Sequence, residues 1–267
     1  MDRKLFLKTA LIASSTGSAV SALAQPLSKK SIQKNQQTEF YELRVYTLKD
    51  ETQQKLVEDY FQNAAIPALN KLGSKNIGVF TEMKPEGQTK IYTVIPFKSA
   101  DAFFKVENQL LADAAYRQAG AAYLNSTASA PAYDRIESSL MQAFKSTPSL
   151  LPTEKKQRLF ELRRYESASE LTGKKKIEMF NEAGESAIFK RLGFKPVFFA
   201  ETLIGEMRPN LTYMITFDDM ADHDAKWKSF GSDAEWKRIS SMPEYSDKLN
   251  VSRITSTFLI PTAFSQI

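Results

Sequence analysis

Phe40-Tyr41-Glu42-Leu43-Arg44-Val45-Tyr46-Thr47 returns 119 positions on as Leu159-Phe160-Glu161-Leu162-Arg163-Arg164-Tyr165-Glu166. Each copy is short, rich in aliphatic and aromatic residues, and alternates in polarity, which is the pattern of a half-buried β-strand. In such a strand Glu42, Arg44 and Tyr46 share one face, and Tyr41, Leu43 and Val45 share the other. Glu161, Arg163 and Tyr165 repeat the arrangement of acid, base and phenol.

The repetition continues outward. A helical stretch from about Glu51 to Leu72 carries Leu56, Tyr60, Phe61, Ala64 and Leu69 at helical spacing, and Pro67 is expected to kink or restart it. The copies of this stretch end on Leu72-Gly73 and Leu192-Gly193, where glycine suits a helix C-terminus. Strands follow at Ile77–Glu82 and 197–201. After the turns at Lys84-Pro85-Glu86-Gly87 and Arg208-Pro209-Asn210, further strands follow at Ile91–Phe97 and 211–217. Asp113 and Asp233 are placed to cap second helices. Arg135–Leu140 and Arg253–Phe258 close the copies as final strands. Each half therefore reads β-α-β-β-α-β, a ferredoxin-like unit. Such a sheet covers one face with its own helices, so the two units are expected to pack sheet to sheet as an intramolecular α+β barrel with the helices outside. The expected division is 1–24 signal peptide, 25–37 flexible leader, 38–145 first domain, 146–156 linker and 157–267 second domain.

Residues 1–24 have the layout of an export signal. Arg3-Lys4-Leu5-Phe6-Leu7-Lys8 precedes a weakly apolar run to Leu23, and Ala22-Leu23-Ala24 supplies a cleavage site before Gln25. The start resembles a twin-arginine signal with Arg-Lys in place of Arg-Arg, and Sec export is the alternative. The run is too polar and short for a stable membrane span, and the exported protein is expected in the periplasm. Removing Asp2, Arg3, Lys4 and Lys8 takes the formal net charge from +5 to +3, with no basic cluster suited to nucleic acid. The chain has no cysteine, so it has neither disulfides nor a thiol nucleophile. With one histidine, His223, a zinc or iron site is not expected, and no cofactor is expected.

The paired Glu-Leu-Arg-x-Tyr strands, the Leu-Gly helix ends and the Asp-x-x-Tyr/Trp steps at 113–116 and 233–236 resemble the NIPSNAP family over roughly residues 38–262. The resemblance implies a dimeric α/β-barrel fold with both units in one chain. It does not imply a reaction, because a fold does not specify one.

The candidate ligand-binding residues are Glu42, Arg44, Tyr46, Glu161, Arg163 and Tyr165. Placed on the face opposite the helices, they are expected to line the barrel interior, with Arg135 and Glu137 beside Glu42 and Arg44, and Arg253 and Thr255 beside Glu161 and Arg163. A desolvated arginine needs an anionic partner. That partner is either a small acidic or aromatic ligand, or Glu42 and Glu161 in internal salt bridges that register the two sheets. His223, Trp227 and Trp236 have bland alternatives, an exposed first-turn residue for the first and core packing for the others.

Three functions stay open: a small-molecule binding module, a cofactor-independent oxygenase or isomerase-like enzyme, and a structural or protein-interaction module. The expected partners are a small-molecule ligand and further copies of this chain in a homo-oligomer. Export predicts that N-terminal sequencing of protein recovered outside the cytoplasm starts at or near Gln25, and intact Met1 in a soluble cytoplasmic pool contradicts it.

Overall fold

The computed structural model describes residues 37–267, and the expected signal and the leader up to residue 36 lie outside the described residues. In the first half β1 (Phe40–Leu48) leads to α1 (Glu51–Tyr60), a π-helical turn (Phe61–Ala65) and α2 (Ile66–Lys71). Then come β2 (Gly78–Glu82), β3 (Thr89–Phe97), α3 (Ala100–Ala112), α4 (Ala114–Ala119), α5 (Ala121–Leu124) and β4 (Arg135–Ala143). The second half runs β5 (Leu159–Glu166), α6 (Glu170–Asn181), α7 (Glu185–Arg191), β6 (Lys195–Ile204) and β7 (Asn210–Phe217). It ends with α8 (Met220–Ser232), α9 (Ala234–Ser240), a 3-10 turn (Pro243–Tyr245), α10 (Asp247–Asn250) and β8 (Arg253–Pro261).

Helix starts follow the side chains that satisfy free backbone donors. Asp50 accepts from the Gln53 amide, and Ser169 and Thr172 form a reciprocal box at the equivalent start of α6. Asp113 and Asp233 cap α4 and α9 as expected. Pro67 does not kink one long helix. The π-helical turn widens the coil first, and Pro67 falls in the first turn of α2, where a missing N–H is tolerated. Gly73 and Gly193 take φ of +98° and +77° just past helix ends, a conformation that costs a side-chain-bearing residue strain.

The eight strands close into one barrel in the order β1-β3-β2-β8-β5-β7-β6-β4, with every adjacent pair antiparallel. Each half contributes four strands, and β2–β8 and β4–β6 are the seams. Since β1 and β5 run in the same direction, both end at the same mouth, called here the upper end.

Three apolar clusters hold this arrangement. The barrel interior draws Tyr41, Phe80, Val94 and Met141 from the first half and Phe160, Phe198, Met214 and Leu259 from the second. Two further clusters lie between each half's sheet and its own helices. The interior cluster is built from both halves, so burying its apolar surface, at roughly 25 cal/mol per Å2 removed from water, ties them together in addition to the two seams. The separated halves 38–147 and 153–267 are therefore expected to aggregate alone and to re-associate on mixing, since each exposes its interior face. A cooperative melt of the isolated first half as a monomer, matching that of the whole chain, would contradict an interlocked interior.

Candidate functional site

The alternation of β1 is as expected, but the faces are exchanged. Tyr41, Leu43 and Val45 point into the barrel, while Tyr46 and Leu48 belong to the cluster under α1–α3. Glu42 and Arg44 share the face of Tyr46, so they look toward the helices rather than into the barrel. The same holds for Glu161, Arg163 and Tyr165 in the second half. Apolar residues take the interior because side chains from eight strands converge there and exclude water. Arg44 and Arg163 consequently never face one another across a lumen. The neighbours also differ by one register step. Arg44 stands opposite Ser138 and Arg163 opposite Ser256. Arg135, Glu137, Arg253 and Thr255 occupy the opposite face, because a one-residue shift reverses every side chain.

Each carboxylate is partnered within its own half. Glu42 accepts from Arg44 Nε at 2.6 Å and Ser138 Oγ at 2.7 Å. Glu161 accepts from Arg163 Nη1 at 2.7 Å, Ser256 Oγ at 2.6 Å and Trp227 Nε1 at 3.1 Å. These are the salt bridges weighed against a ligand, but they lie under the helices and bridge no two sheets. Around Tyr46 the first half adds only phenols: Tyr123 donates to Tyr46 at 3.5 Å, and the Tyr60 and Tyr116 hydroxyls are 2.8 Å apart.

In the second half the structure changes the reading of His223 and of the lysine run, and adds Glu185, which the sequence pattern did not single out. His223 is not exposed: its side chain is only 13% accessible, with its ring against Phe217, Phe258 and Trp227. Its Nδ1 is 2.8 Å from Asp224, and its Nε2 faces Glu161 at 3.4 Å without a hydrogen bond. Trp227 packs in the core and also serves Glu161, and the Arg163 guanidinium lies 4.7 Å from its ring centre. Arg163 Nη2 donates to the Tyr165 hydroxyl, which is 3.3 Å from that of Tyr213. Beyond them Lys176, 1% exposed, holds Asp247 at 3.0 Å and approaches Glu185 at 3.7 Å. Lys174-Lys175-Lys176 reads as a solvated charge run in sequence. Only the helical phase of α6, set by the Ser169 cap, turns the third lysine inward.

Burial opposes the Arg163 charge, but Tyr213, Tyr165 and Glu161 outweigh it and keep the guanidinium charged. Burial pushes the Glu185 carboxyl up to about 7, against the pull of Lys176 and with help from Asp247. Among the described residues no group of three or more histidine, aspartate or glutamate side chains is placed to hold a metal ion, and no helix is long and apolar enough to cross a membrane.

The barrel interior is filled toward its lower end by Tyr41, Phe80, Phe160, Phe198 and Met214. At the upper end both seams are incomplete, β4 pairing with β6 only from Leu140 onward, and the β2–β8 seam carries a cleft. The β2–β8 ladder stops at Glu82↔Leu259, with one further bond from the Met83 amide to Phe258. Beyond it the β2–β3 turn leaves β8, and a cleft of about 560 Å3 lies between them. Tyr92 stands in its wall, its phenol donating to Glu82 at 2.6 Å. Lys84, Lys90 and Arg253 line it together with Glu82 and Glu86, and none of the three cations has an ion-pair partner among the described residues.

The NIPSNAP family model matches twice, over residues 41–148 and 160–266. Among solved structures, a proposed monooxygenase from Fusobacterium nucleatum is 12% identical, with a TM-score of 0.57, covering 84% of this chain and 92% of that one. A proposed monooxygenase from Lactobacillus acidophilus is 9% identical, with a TM-score of 0.55 and coverage of 84% and 94%. A NIPSNAP family protein from Agrobacterium tumefaciens, 18% identical with a TM-score of 0.37, covers 44% of this chain and 97% of its own. No curated protein matches the sequence. At these identities the structural likenesses speak for the fold alone.

The buried acid of the second half makes a pH-dependent prediction. A folded pKa above the unfolded one favours the protonated folded state, so the stabilising contribution is complete below about pH 4.5. It is lost as the pH rises through about 7. Glu185→Gln removes this penalty while Lys176 keeps Asp247. The variant is expected to match the parent near pH 4.5 and to exceed it at pH 8, by up to roughly 3 kcal/mol from the size of the shift. Denaturant melts across this range check it, and a gap that stays constant with pH contradicts it.

Proposed function

This chain belongs to the NIPSNAP family, and we propose that its barrel binds a small acidic or aromatic molecule at the upper cleft. The carrying observation is the cleft itself, about 560 Å3 of unfilled space where β2 and β8 separate at the upper end. Barrel mouths are a usual location for small-molecule sites, and a few convergent polar groups beside an apolar floor fit such a site. Tyr92 offers a ring edge and the Tyr92–Glu82 pair a fixed polar point, while Lys84, Lys90 and Arg253 supply unpaired positive charge for an acidic group. The floor below is apolar, with Val94 and Leu259 among its residues. Glu42, Arg44, Tyr46, Glu161, Arg163 and Tyr165 then act as the helix-side support of the strands rather than as the lining of the site. The protein works outside the cytoplasm in this proposal, which the export signal expected in residues 1–24 supports.

Native mass spectrometry of the protein purified from its own periplasm tests the proposal by reporting any retained small molecule and the oligomeric state together. The expected result is a bound species of a few hundred daltons whose occupancy falls at least tenfold in Tyr92→Phe/Arg253→Ala, on the scale of one charged hydrogen bond. The double variant should still melt cooperatively but below the parent, because Arg253 is exposed whereas Tyr92→Phe removes the phenol's bond to Glu82. Unchanged occupancy in that variant places the ligand elsewhere and overturns the proposal.

A further inference from the structure

At the lower end of the barrel, where β5 begins, the charges do not balance. Arg158 has a side chain only 1% exposed, and its Nε donates to Thr216 Oγ1 at 2.9 Å. Its Nη1 is 3.6 Å from Glu154, and its Nη2, buried and 3.3 Å from Asp218, has no hydrogen-bond acceptor in line. The same Asp218 oxygen is approached by Lys156 at 3.1 Å and Lys195 at 3.5 Å. One carboxylate is thus shared by three cations. Lys155 adds a fourth cation with no ion-pair partner among the described residues, and Glu154, the second acid, is largely exposed. Lys156 holds the Asp218 carboxyl below its ordinary range, so the acid is ionised already and can offer no further charge. Among the side chains alone, Lys155, Lys156, Arg158 and Lys195 against Glu154 and Asp218 leave two positive charges in excess.

Arg158 also forms the wall between two spaces. One, about 410 Å3, lies on the side of Lys155 and Lys156; the other, about 200 Å3, lies on the side of Lys195 and Thr216. The larger has apolar walls from Phe160, Ile260, Pro261 and Ile267. A buried guanidinium with a donor to spare calls for an oxyanion, since unpaired buried donors are costly and guanidinium geometry suits carboxylate. The apolar walls call for something other than a bare inorganic ion.

We propose that the lower end of the barrel is a second binding site, for a monocarboxylate carrying a short apolar tail. Arg158 anchors the carboxylate, Lys155 and Lys156 neutralise it, and Phe160, Ile260 and Ile267 receive the tail. The site lies at the end of the barrel opposite the cleft between β2 and β8 and does not depend on that cleft being occupied.

Isothermal titration of the full chain with octanoate, acetate and octanamide tests it, alongside Lys155→Ala/Lys156→Ala, Arg158→Gln and Tyr92→Phe/Arg253→Ala. Octanoate is expected to bind, with acetate and octanamide each at least tenfold weaker. Octanoate affinity should fall at least threefold in the lysine double variant, tenfold or more in Arg158→Gln, and remain unchanged in Tyr92→Phe/Arg253→Ala. Should Arg158→Gln fail to fold, the exposed lysine pair decides the outcome. Absence of octanoate binding, equal binding of octanamide or acetate, or no loss in the lysine variant overturns the proposal. Loss in Tyr92→Phe/Arg253→Ala moves octanoate to the upper cleft and overturns it as well.

Discussion

Closure of the barrel is the constraint on which the rest of the molecule depends. A ferredoxin-like sheet left alone shows one apolar face to water; here the two sheets meet edge to edge at β2–β8 and β4–β6, and both faces turn inward. Tyr41 packs on Phe198, and Phe80 on Phe160, so rings from different halves interlock across the interior. Once the interior belongs to these side chains, every charged residue of β1 and β5 in the opposite phase must look toward the helices. The Glu–Arg pairs are then obliged to find partners within their own half, which they do through Ser138 and Ser256.

A closed barrel also leaves space only at its ends and seams, which explains why both proposed sites lie there. At the upper end β2 is short and its turn bends away through Pro85 and Gly87, so the ladder to β8 ends while β8 continues. At the lower end the approach to β5 brings a run of cations against Asp218 before the strand begins. The apolar rings between the two ends separate them, so the openings have different chemistry: mostly polar above, cation-rich with apolar walls below.

The two halves share a frame but differ in the layer beneath the helices. Asp50 and Ser169 cap equivalent helices, which makes Val57 and Lys176 equivalent positions. Ser99 and Asp219 do the same for α3 and α8, aligning Phe103 with His223 and Glu107 with Trp227. In the first half the layer holds hydrocarbon and phenols. In the second it holds a lysine, a histidine, an indole donor and a carboxyl that burial pushes up. The Glu–Arg–Ser triple present in both halves is therefore part of the shared frame, and the added titratable groups are particular to the second copy.

The sequence by itself determined the duplication, the β-α-β-β-α-β order, the capping aspartates and the left-handed glycines, because each is a local pattern written in neighbouring residues. It also determined that β1 and β5 have one apolar and one charged face. Which face turns inward was decided by tertiary structure, since alternation is symmetric until a second sheet arrives to cover one side. The register that sets Ser138 rather than Arg135 and Glu137 beside the charged face was likewise decided between strands nearly a hundred residues apart. The burial of His223, Lys176 and Glu185 was not legible for the same reason: a polar residue on a helix gives no local sign of the sheet it will be pressed against. The unpaired charge around Arg158 emerged only when four segments distant in sequence came together at one end of the barrel.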